Sequence, residues 1–269
     1  MINFLKKNLP IILSYLVLVF VLLVTLVEYG KEFSTFKDPF LIYYNFISGT
    51  FFYTLVLLMP LFVIVPTTFF ISKEFHSGIY KYYLQRMSYR KLIKSKLCNV
   101  GKVLFILPLF AVLLFIVSCF VAKSFSVGVN RALYDRYLAP DVIYLDCFKS
   151  FVIIYLVDLF LHSILYMNIA FIYIKKYSNI AVSIIFSYLT FIVLDIIFEV
   201  FIGGLLFGKL LNIGNVGLTL NLFNIWTYDS VISMYIVLGY SFLLAFLSSI
   251  IVFIKYRNKE EVIMSIEKN

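Results

Sequence analysis

Six long apolar runs divide this sequence and limit what it can fold into. A helix needs about 20 apolar residues to cross ~30 Å of hydrocarbon at ~1.5 Å per residue. Hydrophobic residues make up 63% of the chain and charged residues 14%, a composition typical of a polytopic membrane protein. The sequence therefore predicts an all-α fold in which a single domain, residues 1–269, contains six transmembrane helices. We place these spans at residues 9–27, 46–71, 97–122, 148–173, 180–203 and 232–254.

The first run follows Lys6 and Lys7 and could be taken for a secretory signal. The apolar core of a signal peptide has ~7–15 residues and ends at a small-residue cleavage site. This run is longer, continues to Glu28 and contains no such site. We therefore expect it to be retained as the first membrane span.

Basic residues are distributed unevenly between the two sides of the predicted spans. Sixteen of the 23 Lys and Arg residues fall on the side of the N-terminus, and seven acids match the other seven. Because cytoplasmic loops carry such an excess, both termini are predicted to be cytoplasmic. The net charge of +9 then faces anionic lipid and predicts no nucleic-acid partner. The abundance of Ile, Phe, Tyr, Lys and Asn is typical of an AT-rich bacterial genome, so we expect a bacterial cell membrane.

Residues 72–96, between the second and third spans, carry seven Lys or Arg and a single acid, Glu74. Apolar side chains from Phe75 to Tyr83 recur at helical spacing, which predicts a short amphipathic helix on the cytoplasmic surface of the membrane. Ser88 can cap a second helix that begins at Tyr89 and continues into the third span. The predicted elbow of two helices is suited to docking on a partner protein. The alternative is a surface helix that sets the topology and binds anionic lipid.

Four glycines and four asparagines interrupt the apolar residues 204–231, just before the last span. Backbone groups without partners cannot face lipid, so such a segment at membrane depth must pack on protein or line a cavity. We predict one or two short re-entrant helices in the outer leaflet. A surface loop is the alternative.

The sequence contains no complete nucleotide-binding, metal-binding or nucleophile motif. The nearest match to a phosphate-binding loop includes Gly203, Gly208 and Lys209, but Leu210 stands where a Ser or Thr must coordinate Mg²⁺. We therefore predict no enzyme activity, metal or cofactor in this chain. Any ATP would be hydrolysed by a partner.

The loop residues Glu74, Gly78, Ser88, Arg90 and Lys96 stand in an order and spacing that resembles the cytoplasmic loop of ABC-2-type permeases, the membrane subunits of ABC transporters. The six-span plan and the interrupted segment before the last span are similar to that family as well. One residue departs from the pattern, because Met87 lies near a position where a proline is common.

The resemblance implies a set of partners. Such permeases form homo- or heterodimers, and each docks through this loop, the coupling helix, on a separate ATPase subunit that binds ATP and Mg²⁺. Movement of the ATPases then rearranges a substrate path between the permeases, usually for export. A short N-terminus and the lack of a large outer domain favour hydrophobic or amphipathic peptides as substrates. The candidate ATPase-coupling residues are Glu74, Gly78, Arg86, Ser88, Arg90 and Lys96.

Two charged pairs lie within the predicted spans. Asp158 and His162 are four residues apart in the fourth span, and Asp195 and Glu199 are four apart in the fifth, so each pair shares a helix face. Ionisable groups inside the membrane usually face a cavity or a partner. Counting residues along the helices, we expect Asp158 and Asp195 at similar depth in the outer half of the membrane.

Two interpretations of these pairs remain open. They could form an acidic patch that lines the exit of a substrate path for cationic or amphipathic molecules. They could equally form a structural network in which His162, or Lys149 and Lys209 from outside, neutralise the carboxylates. An intramembrane enzyme that uses the four residues as acid, base or metal ligands is the rival function. A passive channel or secondary transporter is a third, and it predicts an internal repeat that we do not find.

Overall fold

The computed structural model describes residues 2–33, 38–40, 42–43, 58–76, 86, 88–89, 91–92, 95, 100–123, 148–177, 179–197 and 231–257. Every regular element within these ranges is helical, which confirms the predicted all-α class in the described part of the chain. The elements are α1 (Ile2–Phe33), α2 (Leu61–His76), a 3₁₀ helix (Gly101–Phe105), α3 (Ile106–Ala122), α4 (Phe148–Lys176), α5 (Ile180–Ile196) and α6 (Val231–Arg257).

Three stretches are long and apolar enough to cross a membrane: Gly101–Ala122, Tyr155–Lys176 and Val237–Arg257. The apolar parts of the other three helices are shorter among the described residues, at Asn8–Val24, Leu61–Ser72 and Ile180–Ile196. Residues 46–57 and 198–203, which complete the second and fifth predicted spans, lie outside the described residues, as do the predicted re-entrant helices of residues 204–230.

Helix bounds differ from span bounds at both ends of α1 and at the end of α2. The backbone of α1 is helical from Ile2 to Phe33, beyond the predicted 9–27, and α2 continues past Ile71 to His76. The reason is that hydropathy marks where lipid begins, whereas Lys and Glu are good helix formers in water. The start of residues 72–96 is therefore a direct continuation of α2.

Helix α4 is the centre of the molecule, because it packs against α2, α3, α5, α6 and the 3₁₀ helix. All side chains from Leu165 to Phe171 are buried, so this stretch is covered on every face. In its apolar window 67% of the residues are buried, against 28% for α6. A helix that is hydrophobic and covered all round is a core helix, and α6 is peripheral in comparison.

A tight turn joins α4 to α5. Asn179 caps α5, since its side-chain oxygen accepts hydrogen bonds from the N–H groups of Ala181 at 2.9 Å and Val182 at 3.4 Å. The rings of Tyr173, Tyr177 and Phe186 stack across the turn with centroids 5.0–6.2 Å apart. The two helices are therefore antiparallel neighbours.

The contacts of α4 also fix the directions of α6 and α3. Asn168 meets Ser248, and Lys175 meets Lys255, so α6 runs parallel to α4. Phe105 packs on Phe160, while Tyr43 contacts both Phe115 and Tyr155, so α3 runs antiparallel. Helices α3 to α6 thus alternate in direction, as consecutive membrane spans do. We call the end that carries Lys175, Lys176, Lys255 and Arg257 the basic end.

Candidate functional sites

Asp158 and His162 lie one turn apart on α4, with only 1% and 3% of their surfaces exposed. The Nδ1 atom of His162 lies 3.0 Å from the carbonyl oxygen of Asp158 and 3.1 Å from its carboxylate oxygen Oδ2. A carbonyl oxygen can only accept, so Nδ1 must carry a hydrogen and donate it. One histidine proton is therefore fixed by its own helix.

The remaining polar atoms of this pair have no hydrogen-bond partner among the described residues. These atoms are the two carboxylate oxygens of Asp158 and the Nε2 atom of His162, and all three are buried. The contact of Nδ1 with Oδ2 has the length of an ion pair, while the hydrogen bond goes to the carbonyl. Buried polar groups are normally hydrogen-bonded, so these exceptions call for an explanation.

Asp195 reaches the same place from α5. It follows Ser183, Ser187 and Phe191 at intervals of four residues, on the face that α5 turns towards α4. The three preceding residues are buried, and the ring of Phe191 meets the ring of Tyr166 edge to face at 5.3 Å. Packing of this face carries Asp195 towards the pair on α4.

Electrostatic interactions connect Asp195 with side chains on two neighbouring helices. Its carboxylate acts on His162 and Tyr166 of α4 and on Tyr240 of α6. The structure thus brings together Asp158, His162 and Asp195, which we call the Asp–His cluster. Sequence reasoning missed the two tyrosines, although Tyr166 lies four residues after His162 and so on the same face.

The Asp–His cluster contains one imidazole and two carboxyl groups, all of which can bind and release protons. Within the described ranges, no group of three or more His, Cys, Asp and Glu side chains is arranged to hold a metal ion. Glu199 and Lys209 lie outside the described residues, and Lys149 is described only as backbone in the first turn of α4. The pairing of Asp195 with Glu199 therefore stays a prediction.

The basic segment, residues 72–96, contains the other candidate site. Glu74 lies in the last turn of α2, and Arg86 and Ser88 are exposed. Gly78, Arg90 and Lys96 lie outside the described residues. Ser88 precedes a helical Tyr89, and the Leu92 N–H donates to the Ser88 carbonyl oxygen at 3.0 Å, as at the start of a helix.

One side of this segment is attached to the basic end. The Tyr89 hydroxyl donates to the carbonyl oxygen of Tyr256 on α6 at 2.9 Å, and Leu92 is only 3% exposed. The other side carries the exposed residues Arg86, Ser88 and Lys91. Burial raises the pKa of Tyr89 to about 12, so its hydroxyl remains a donor at any physiological pH.

A third polar group joins α4 to α6 near the basic end. The Asn168 side-chain NH₂ donates to the Ser248 hydroxyl at 3.0 Å and to the Ser249 hydroxyl at 2.9 Å. Both serines donate in turn to the carbonyl oxygen of Ala245. We call these three residues the α4–α6 clamp. Sequence reasoning missed it, although one amide side chain in an apolar run was a usable signal.

Comparison with family models, with curated proteins and with solved structures finds no match for this chain. Every regular element of the described residues is helical, and three of the helices are long and apolar enough to cross a membrane.

Proposed function

We propose that the chain is the permease subunit of an ATP-driven exporter, with six membrane spans, two cytoplasmic termini and a bacterial cell membrane as its location. The proposed substrates are hydrophobic or amphipathic peptides, and a separate ATPase subunit with ATP and Mg²⁺ provides the energy. The observation that carries the proposal is the two-sided geometry of the basic segment. Tyr89 ties it to α6, while Arg86 and Lys91 face outward.

A segment that transmits force needs a firm connection to the helices it moves. The bond from Tyr89 reaches the last turn of α6, and α6 is joined to the central helix α4 by the clamp, by the Tyr256 hydroxyl and by Lys175. A push on the segment would therefore reach α4 through α6. This arrangement supports a coupling role over a helix that only marks topology.

Charge at the basic end supports the cytoplasmic orientation and lipid contact there. Lys176, Lys255 and Arg257 are exposed at the ends of two long apolar helices. Such residues mark the cytoplasmic side, where anionic headgroups attract them. In this orientation the basic segment meets an ATPase in the cytoplasm.

A second copy of the chain, or a related permease, is the proposed neighbour within the membrane. Six of the seven large apolar residues of α1 that are described as exposed alternate at steps of four and three, the repeat by which two helices pack along a seam, and the seventh, Val17, adjoins Leu16. The six are Leu9, Leu13, Leu16, Phe20, Leu23 and Val27. Disulfide cross-linking of Leu16→Cys, with outward Ile185→Cys on α5 as the control, tests whether this seam joins two copies.

The Asp–His cluster is placed in the substrate path of this proposal. It lies inside the bundle, and Asp158 stands about 27 Å along α4 from Lys176. Asp158→Asn and Asp195→Asn should lower transport while dimer assembly is kept. Loss of assembly in both variants would favour the structural interpretation of the cluster.

Co-purification tests the ATPase partner. The native membrane complex is isolated through a tag on this chain, and its ATP hydrolysis is measured. Arg86→Glu combined with Lys91→Glu should remove the ATPase, because both side chains face outward from the coupling segment. Lys176→Glu with Arg257→Glu is the matched control, with the same charge change at the same end. An ATPase that stays bound to the first variant, or export by the isolated chain without ATP, would refute the proposal.

A further inference from the structure

We propose that the Asp158–His162 pair is a proton-binding site inside the bundle, in which His162 carries the bound proton on Nε2 and faces the carboxylates of both Asp158 and Asp195. The site needs no ATPase, so it stands independently of the proposed function. It is built from side chains of α4 and α5.

The geometry of the histidine determines where a second proton can bind. Nδ1 already holds a hydrogen, which it donates to the Asp158 carbonyl oxygen at 3.0 Å. The only ring position left for a second proton is Nε2, which is buried and has no hydrogen-bond partner among the described residues. A proton that binds there turns a neutral imidazole into an imidazolium.

The buried carboxylate of Asp158 favours a positive charge on the neighbouring histidine. It is 1% exposed, and neither oxygen receives a hydrogen bond from the described residues. An isolated ionised carboxylate in such a place is very costly. An imidazolium 3.1 Å from Oδ2 turns the bare charge into an ion pair with no net charge. The pair therefore favours an imidazolium beside the ionised carboxylate over a neutral imidazole beside the same carboxylate.

The groups that surround His162 favour the same state. On α4 they are Asp158 and Tyr166, on α5 Asp195, and on α6 Tyr240, which lies near Asp195. The described side chains of α2 include no ionisable group. Lys102 and Cys119 are the described ionisable residues of the 3₁₀ helix and α3, and Lys123 follows α3. None of these three is among the charges that act on His162. The charges that act on His162 are thus the two carboxylates.

Nuclear magnetic resonance of the histidine ring tests this site directly. The chain has two histidines, so His76→Gln leaves His162 as the sole reporter in full-length protein without a histidine tag. The protein, labelled with ¹⁵N-histidine, is placed in lipid nanodiscs at pH 7.5. An ordinary histidine is then only about one-tenth protonated. We expect both ring nitrogens of His162 to be protonated.

Two variants locate the origin of the effect. In Asp158→Asn, His162 should become neutral at pH 7.5, with its hydrogen kept on Nδ1 by the backbone carbonyl. In Asp195→Asn, the midpoint of the titration should move to lower pH by less, because its contact is less direct. A neutral His162 in the parent protein, or a hydrogen on Nε2 alone, would overturn the proposal. So would an Asp158→Asn protein with a charged His162. If that variant does not fold, an unchanged midpoint in Asp195→Asn overturns the role of the second carboxylate.

Discussion

The α4–α6 clamp and the Asp–His cluster are both polar groups packed around α4, yet they differ in how far their hydrogen bonds are satisfied. In the clamp, Asn168 donates two hydrogen bonds and each serine has an acceptor. In the cluster, three atoms of Asp158 and His162 have no hydrogen-bond partner among the described residues. A satisfied group holds helices together, whereas an unsatisfied one costs stability and is kept for another reason. On this basis we expect the first region to be structural and the second to be functional.

The largest expected effect comes from breaking the pair and then replacing it. His162→Leu removes the positive partner and leaves the Asp158 carboxylate buried alone, which should lower the free energy of unfolding by about 3–5 kcal/mol. Replacing both residues, as Asp158→Leu with His162→Leu, should return stability to the parent value or above it by about 1–4 kcal/mol. Transport should be lost in both variants.

The measurement is unfolding in detergent, followed by intrinsic fluorescence for each variant in parallel. Leu161→Met, a nearby volume-conserving change on α4, is the control and should change stability by less than about 1.5 kcal/mol. A double variant less stable than His162→Leu alone would show that the pair stabilises the bundle. The pair and the clamp would then both stabilise the bundle, and they would no longer differ in this respect.

Breaking the clamp should lower the free energy of unfolding by less than His162→Leu does. Asn168→Leu removes two hydrogen bonds between α4 and α6, at about 0.6 kcal/mol each on the membrane-protein average and up to ~1.7. We therefore expect the free energy of unfolding to fall by about 1–2 kcal/mol. The serines keep their bonds to the Ala245 carbonyl, so no new unsatisfied donor arises.

The control for the clamp lies on α6 itself. Ser241 is buried, and its hydroxyl has no hydrogen-bond partner among the described residues. Ser241→Ala should leave stability unchanged or raise it slightly, while Ser248→Ala should lower it. Equal effects of the two changes would mean that hydrogen bonding does not distinguish these positions.

The two regions also differ in what the sequence could predict. Asp158 and His162 were identified because charge inside an apolar run is rare, and helical spacing of four placed them on one face. Their meeting with Asp195 depended on position along two antiparallel helices, which residue counting can estimate from the helical rise. The partners of Asn168 depended on the rotation of α6 about its axis, and α6 has apolar residues on all sides. No periodicity in the sequence fixes that rotation.

The same limit applies to what the sequence could predict about the basic segment. Its charge and the start of a helix at Tyr89 were visible in the sequence, because Ser88 and the neighbouring lysines are local signals. The continuous extension of α2 to His76 and the bond from Tyr89 to Tyr256 were not. That bond joins residues 167 positions apart, and only the packed bundle brings them together.

The smallest expected effect concerns the bond from Tyr89, which resembles the clamp in being satisfied but lies at the edge of the bundle. Tyr89→Phe should lower stability by about 0.5–1.5 kcal/mol, the net value of one hydrogen bond. Burial raises the pKa of this hydroxyl from 10.0 to about 12. The folded state therefore holds the proton more tightly than the unfolded one, and the contribution of Tyr89 is complete below pH 10 and lost as the pH rises through 12. The difference in tyrosinate absorbance between the parent protein and Tyr89→Phe isolates this titration from the other tyrosines. A midpoint near 10 would show that Tyr89 is open to solvent and that the segment is not attached to α6.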